Sequence, residues 1–257
     1  MEIVAVSISA FLIAILTFFS GFGLGTILTP VFMIFFPTEL AIALTGIVHF
    51  LNNIFKLILI GKFADKEVLI QFGIPAVFAA FIGSWILLNI PSVSPIYSYE
   101  VAGKTYFIFP IKLLISILLI VFASFDLIPY FSNIQFNKNK LPIGGFLSGF
   151  FGGLSGMQGA LRSAFLIRAG LSKETFAGTT VVVSSFVDFT RLSMYSTKLN
   201  SVGITDNFPI ILSAVFSAIL GAYIGNKLFK KITLRFLQII VATLLILLAL
   251  AIGSGFI

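Results

Sequence analysis

Ala76-Val77-Phe78-Ala79-Ala80-Phe81-Ile82-Gly83-Ser84-Trp85-Ile86 is read again, small position for small and bulky for bulky, as Ala214-Val215-Phe216-Ser217-Ala218-Ile219-Leu220-Gly221-Ala222-Tyr223-Ile224. Ser20-Gly21-Phe22 and the glycines that follow return likewise as Ser148-Gly149-Phe150 and more glycines. Both repeats lie in almost wholly apolar sequence. A duplicated helical bundle with one Gly-rich break in each half is the layout of many secondary transporters, whose substrate sits where the breaks meet.

Composition sets the class. The chain is 59% hydrophobic and 10% charged, where a soluble domain carries about 25% charged residues. Its mean hydropathy is +1.15. The apolar runs approach the roughly 20 residues a membrane-crossing helix needs, and they are continuous rather than alternating, which argues against a β-barrel. The expected fold is therefore an all-α polytopic membrane protein. The absence of cysteine removes disulfides, zinc–thiolate sites, iron–sulfur clusters and thiol nucleophiles. With a single histidine, a His-rich metal site is not expected, nor is any cofactor. The net charge of +7 comes from residues between apolar runs. It is read as a topology signal rather than as a nucleic-acid surface. Met1-Glu2-Ile3 lacks the basic region of a signal peptide, so the first helix is expected to be retained.

Apolar segments are expected near 3–19, 22–36, 39–60, 68–90, 106–130, 142–151, 157–168, 175–195, 207–226 and 234–256. The breaks fall at Gly21–Gly25 and Gly152–Gly156, and residues 91–105 and 131–141 form the longest polar connections. The second connection divides the chain into repeats 1–136 and 137–257, one integrated membrane domain. Each break is either a broken helix or a re-entrant hairpin. A hairpin that returns to its own side, followed by three crossings, puts Lys62, Lys66, Lys138, Lys140, Arg168, Lys173, Lys227, Lys230, Lys231 and Arg235 on one face. Only Lys104, Lys112 and Lys198 remain for the other, as the positive-inside rule prefers. A single crossing from residue 3 to 36 would set the Lys227–Arg235 cluster opposite Lys62 and Lys66. With three crossings per half, the repeats are inverted relative to one another and both termini lie outside.

The first break offers Gly21, Gly23 and Gly25, whose backbone can unwind and present N–H groups, with hydroxyls from Thr26 and Thr29. The helix restarting after it points its positive end at the gap, a recipe for holding an anion. Small residues that merely permit close packing are the plain alternative. The second break repeats the backbone with Gly153, Ser155, Gly156, Gln158 and Gly159, and adds Arg162 inside an apolar run. An arginine at membrane depth is costly unless it faces the bundle interior with a partner. Its fork fits a tetrahedral or pyramidal oxyanion; the alternative is snorkelling to headgroups. The following helices carry matched polar stripes: Thr45, His49, Asn52, Asn53 and Lys56 in one half, Thr179, Thr180, Ser184, Ser185, Asp188 and Arg191 in the other. His49, Asn52, Asn53 and Lys56 share one helical face. His49 is a candidate substrate or proton group, or a structural histidine. Asp188, Arg191 and Lys56 are candidates for coupling, although Asp188 and Arg191 could simply neutralise each other.

The Gly-rich break before Thr29-Pro30, the run Ser148-Gly149-Phe150-Phe151-Gly152-Gly153-Leu154-Ser155-Gly156 and the later Ala177-Gly178-Thr179-Thr180 resemble the TauE/SafE sulfite and organosulfonate exporter family. The resemblance covers nearly the whole chain. It implies two related halves, transport of sulfur-containing anions across the bacterial inner membrane, and a site at the breaks and the polar residues beside them. One departure stands out: Ala160-Leu161-Arg162 follows Gly159 where the family commonly runs into a glycine cluster and a proline.

The expectation is a secondary exporter of a small anion, with the two halves rocking about a midplane site. Its partners are that anion and the lipid bilayer; no nucleic-acid partner is expected, and a homodimer is left open. A passive anion channel fits the same duplication. Gly153-Leu154-Ser155-Gly156 also matches the Gly-x-Ser-Gly string of intramembrane serine proteases, which need a histidine on a later helix; His49 comes far earlier. No catalytic residue is therefore assigned.

Overall fold

The computed structural model describes residues 2–18, 23–89, 94–128, 138–166, 169–198, 205–228 and 234–257. Among these, ten α-helices account for most of the chain. The N-terminal five are α1 (Glu2–Thr17), α2 (Leu24–Met33), α3 (Thr38–Ile60), α4 (Lys66–Asn89) and α5 (Pro110–Leu127). The C-terminal five are α6 (Leu141–Ser155), α7 (Gly159–Leu166), α8 (Lys173–Tyr195), α9 (Phe208–Leu228) and α10 (Leu234–Gly253). By length and apolarity, α3, α4 and α9 can each cross a membrane, and α1, α2, α5, α6 and α10 contribute shorter apolar stretches. The α8 helix is as long as α3 but less apolar, because it carries a polar stripe that the fold buries.

The repeated motif owes its pattern to packing. Gly145, Gly149 and Gly153 of α6 lie against the backbone of Phe72, Ala76 and Ala80 of α4, and Gly83 returns the contact to Phe150. A Cβ at any of these glycines would overlap a backbone oxygen. Helices approach this closely only where both faces are small, and van der Waals packing then replaces the hydrophobic drive that lipid removes. The first turns of α4 widen into a π-helical segment, Leu69–Gly73, at the same contact. In the other half Ala214 and Ala218 of α9 are fully buried, and Gly221 and Gly225 meet the carbonyls of Phe11 and Ile15 of α1. The bulky positions of both copies face outward: Phe78 is 63% exposed and Phe216 65%. A hydrophobic belt with a buried small-residue stripe is what a lipid-embedded helix requires.

Contacts also fix direction. Along α3 and α8, Gly46 meets Arg191, His49 meets Asp188 and Ile60 meets Gly178, so the pair is antiparallel. The α4–α6 pair is parallel by the contacts above. So is α1–α9, where Ser7 meets Ser213, Phe11 meets Gly221 and Ile15 meets Gly225. Helices α5 and α10 form the fourth pair, tied by Ser116 Oγ donating to the Ala249 carbonyl at 2.7 Å. Each pair joins one of the N-terminal five helices to one of the C-terminal five.

Two boundaries differ from the sequence expectation. The α6 helix continues to Ser155, so the second break opens at Gly156 rather than Gly152; Gly153 packs on Ala80 of α4 and Gly152 against Gln158 and Val187. The connection before α5 holds a two-stranded antiparallel hairpin, β1 (Tyr97–Val101) and β2 (Lys104–Ile108), which turns at Ala102 and Gly103 with φ of 52° and 76°. Its Tyr99 hydroxyl donates to the Ser254 carbonyl at 2.5 Å, anchoring it on the end of α10.

Candidate functional site

The two breaks meet. Gly23 and Gly156 share the left-handed φ of +79° that glycine adopts without penalty. Gly23 precedes the short helix α2, and Gly156 closes α6 just before the short helix α7. A Cβ at Gly23 would lie 3.7 Å from Gly159 Cα, 3.6 Å from His49 Nε2 and 3.7 Å from Arg162 Nη2. A Cβ at Gly25 would lie 3.1 Å from the Gly156 carbonyl, and one at Gly156 would lie 3.3 Å from Thr29 Oγ1 and 2.8 Å from Arg191 Nη1. Gly21 lies outside the described residues.

Asp188 is the hub. Its Oδ2 accepts from His49 Nδ1 at 2.6 Å and from Asn53 Nδ2 at 3.1 Å. Its Oδ1 accepts from Gln158 Nε2 at 3.1 Å and Arg191 Nε at 3.0 Å. Gln158 Oε1 accepts in turn from Arg162 Nη1 at 3.0 Å. His49, Asn53, Gln158, Arg162, Asp188 and Arg191 are all buried, with Asp188 and Arg191 at 0% exposure and Arg162 at 1%. Isolated charges at that depth are prohibitive; a fully hydrogen-bonded cluster is tolerable. α3 and α8 supply the cluster because their stripes face each other, and the second break contributes the glutamine and arginine.

Donors are left over. Arg162 Nε, Arg191 Nη1 and Nη2, Thr45 Oγ1, Thr180 Oγ1 and both side-chain polar atoms of Asn52 are buried without a hydrogen-bond partner. Arg191 Nη2 stands 2.9 Å from Asp188 Oδ1 as a contact ion pair, without hydrogen-bond alignment. Native interiors satisfy nearly all such groups, so each is a donor or acceptor that a ligand or water can take up. A cavity of about 30 Å³ opens beside two of these residues, Arg162 and Thr180, lined also by Gly23, His49, Asn53, Lys56 and Ser184. It has room for on the order of one or two waters.

Several expected residues have partners within the fold. Thr179 Oγ1 accepts from the Asp65 backbone N–H at 2.9 Å, pinning the turn between α3 and α4 to α8. Gly153 packs on Ala80, and its carbonyl accepts from Tyr195 Oη at 2.8 Å. Ser155 Oγ donates to the Phe151 carbonyl within its own helix at 2.9 Å, and Thr29 Oγ1 to the Gly25 carbonyl at 2.8 Å. Thr26 is buried on α2. Sequence reasoning missed Gly46, which makes room for Arg191 with its Cζ at 3.3 Å, and Tyr195, one turn beyond Arg191. The signal for Tyr195 was its i+4 spacing from the polar stripe.

A family model described as Sulfite exporter TauE/SafE matches residues 6–252. The chain belongs to the TauE/SafE family. The match runs through both breaks and both polar helices. Comparison with curated proteins and with solved structures returns no match. As a TauE/SafE member with long apolar helices, the chain is an integral membrane protein of a transporter family.

Proposed function

We propose that this TauE/SafE protein exports a small oxyanion, sulfite, an organosulfonate or a close relative, across the bacterial cytoplasmic membrane by alternating access about the junction of the two breaks. The observation that carries the reading is the set of unpartnered guanidinium donors of Arg162 and Arg191 beside two unwound glycine segments. An oxyanion supplies several acceptors in a compact volume, which neither a neutral solute nor a cation does. Membrane potential alone favours exit of an anion by about 2.3 kcal/mol per charge per 100 mV. Asp188, held between His49 and Arg191, is assigned to proton coupling, with Arg191 and Lys56 as cations along its path.

Helix directions support inverted repeats with a hairpin at each break. Helices that cross in succession alternate in direction. α1 runs with α9, hence against α8 and with α3, so the chain turns back between α1 and α3 at α2. α6 runs with α4, and α8 does too, with Asp65 beside Thr179 and Gly73 beside Val183; the chain therefore turns back at α7. In this arrangement Lys62, Lys66 and Lys173 share one face, and Lys104 and Lys112 take the other, which the positive-inside rule makes external.

The test is uptake of labelled sulfite, sulfate and methanesulfonate into proteoliposomes. Saturable flux of one anion that falls at least tenfold in Arg162→Ala and is partly restored in Arg162→Lys is the expected result. Absence of flux for every anion under either gradient would remove this substrate class. Large unitary currents without saturation would favour a channel. A hydrolase is disfavoured by geometry: Ser155 is bonded to Phe151 and His49 to Asp188.

A further inference from the structure

We propose that the anion path contains two binding stations, one at each end of the Asp188 cluster, rather than a single central site. The inference rests on the anion-transport reading above and deepens it. Thr45, His49, Asn53 and Lys56 on α3 have the same spacing as Thr180, Ser184, Asp188 and Arg191 on α8. Because the two helices are antiparallel, Lys56 lies at the Thr180 end of the cluster and Arg191 at the Thr45 end. Each end thus holds one buried cation from one helix and one buried threonine hydroxyl from the other. Both hydroxyls, Thr180 Oγ1 and Thr45 Oγ1, are without hydrogen-bond partners, as are Arg191 Nη1 and Arg162 Nε, while Arg191 Nη2 has only its ion pair with Asp188.

The two ends differ in openness. At the Lys56 end the cavity is present, and no carboxylate stands among the described residues that line it. The Lys56 ammonium rests 4.8 Å from the Phe18 ring centroid, a cation held by a ring face where an anion is the stronger partner. At the Arg191 end Gly46 and Gly156 close directly on the guanidinium, and Leu192 lies over Gly46. Between them Asp188 already takes donors from four residues, so a second anion cannot share its position. An oxyanion is therefore received by Lys56, Arg162 and Thr180, passes the cluster only as it rearranges, and is released through Arg191 and Thr45.

Sided flux of labelled sulfite in oriented proteoliposomes tests this. Lys56→Met raises the half-saturating concentration about tenfold for sulfite presented on the Lys62/Lys66 face and leaves the other face unchanged; Arg191→Met does the reverse, and Lys56→Arg and Arg191→Lys restore each. A single site predicts that either variant shifts both faces, and that result overturns the proposal while leaving anion transport intact. No sulfite flux in the unaltered protein overturns both. Because the chain has no cysteine, Thr180→Cys and Thr45→Cys give a readout that survives loss of flux. An impermeant anionic methanethiosulfonate should label Thr180→Cys from the Lys62/Lys66 face and Thr45→Cys from the opposite one; labelling of both from one face rejects two stations.

Discussion

Asp188 shows at the level of single residues why a charge can be kept inside this membrane protein. Its carboxylate accepts from His49, Asn53, Gln158 and Arg191, and Gln158 passes the connection on to Arg162. Removing the carboxylate strands the buried Arg191 fork, a histidine and two side-chain amides, and breaking a buried pair from one side costs about 3–5 kcal/mol. Asp188→Ala should therefore lower the thermal midpoint in detergent sharply, while Arg162→Ala, whose loss frees only one amide oxygen, lowers it less; equal midpoints would contradict the hub role. Asp188→Asn keeps an acceptor and loses the charge. If Asp188 carries the coupled proton, flux in Asp188→Asn no longer responds to an imposed pH gradient, and an undiminished response removes Asp188 from coupling. Much of this cluster was legible in the sequence, because polar residues in apolar helices are costly and rarely idle. What was not legible was which stripe faced which. Thr179 and Asp188 look alike as stripe members, yet only the fold turns one to the Asp65 amide and the other to the centre.

Among the elements, the α4–α6 contact is the tightest. Gly149 faces the Ala76 carbonyl with no space for a methyl group. Gly149→Ala should destabilise by about 1–3 kcal/mol, as overpacking of a rigid contact does, and read out as a lower thermal midpoint and weaker expression. Phe78→Leu, on the lipid face of the same helix pair, should stay within about 0.5 kcal/mol. If Gly149→Ala matches Phe78→Leu, the backbone approach is looser than the helix geometry gives. The repeated Ala-x-x-x-Ala-x-x-Gly pattern announced two corresponding helices, since period and side-chain size survive duplication, but not the helix on which each packs. The start of the second break did not announce itself: Gly152 and Gly153 are poor helix formers in isolation, and tertiary packing, of Gly153 on Ala80 and of Gly152 on Gln158 and Val187, keeps them helical. The hairpin Tyr97–Ile108 was passed over because its alternation spans just five residues per strand, and the segment beginning near 106 looked like an apolar helix.

For the whole molecule the consequential fact is that the N-terminal and C-terminal helices interlock. α1 of the first region packs on α9 of the second, and α4 on α6, each through backbone-level glycine contacts. Rocking region 1–136 as one body against 137–257 would have to shear both contacts. Glycine-mediated packing, formed at backbone distance and offering no soft side chains to slide, resists that. Motion about the breaks is less costly if the mixed pairs α1–α9 and α4–α6 move as units and the antiparallel α3–α8 seam, with its unpartnered donors, is where they part. Ser7 and Ser213 discriminate the two pictures, because their hydroxyl oxygens lie 2.5 Å apart across the α1–α9 contact. That separation brings the paired Cβ atoms within reach of a disulfide, and no native cysteine interferes. The double variant Ser7→Cys/Ser213→Cys should crosslink on mild oxidation and retain most of its sulfite flux, since the bond joins parts of one moving unit. Loss of flux on oxidation, recovered on reduction, would instead mean that the two regions separate during transport, and the glycine contacts would then be a seam rather than a rigid joint.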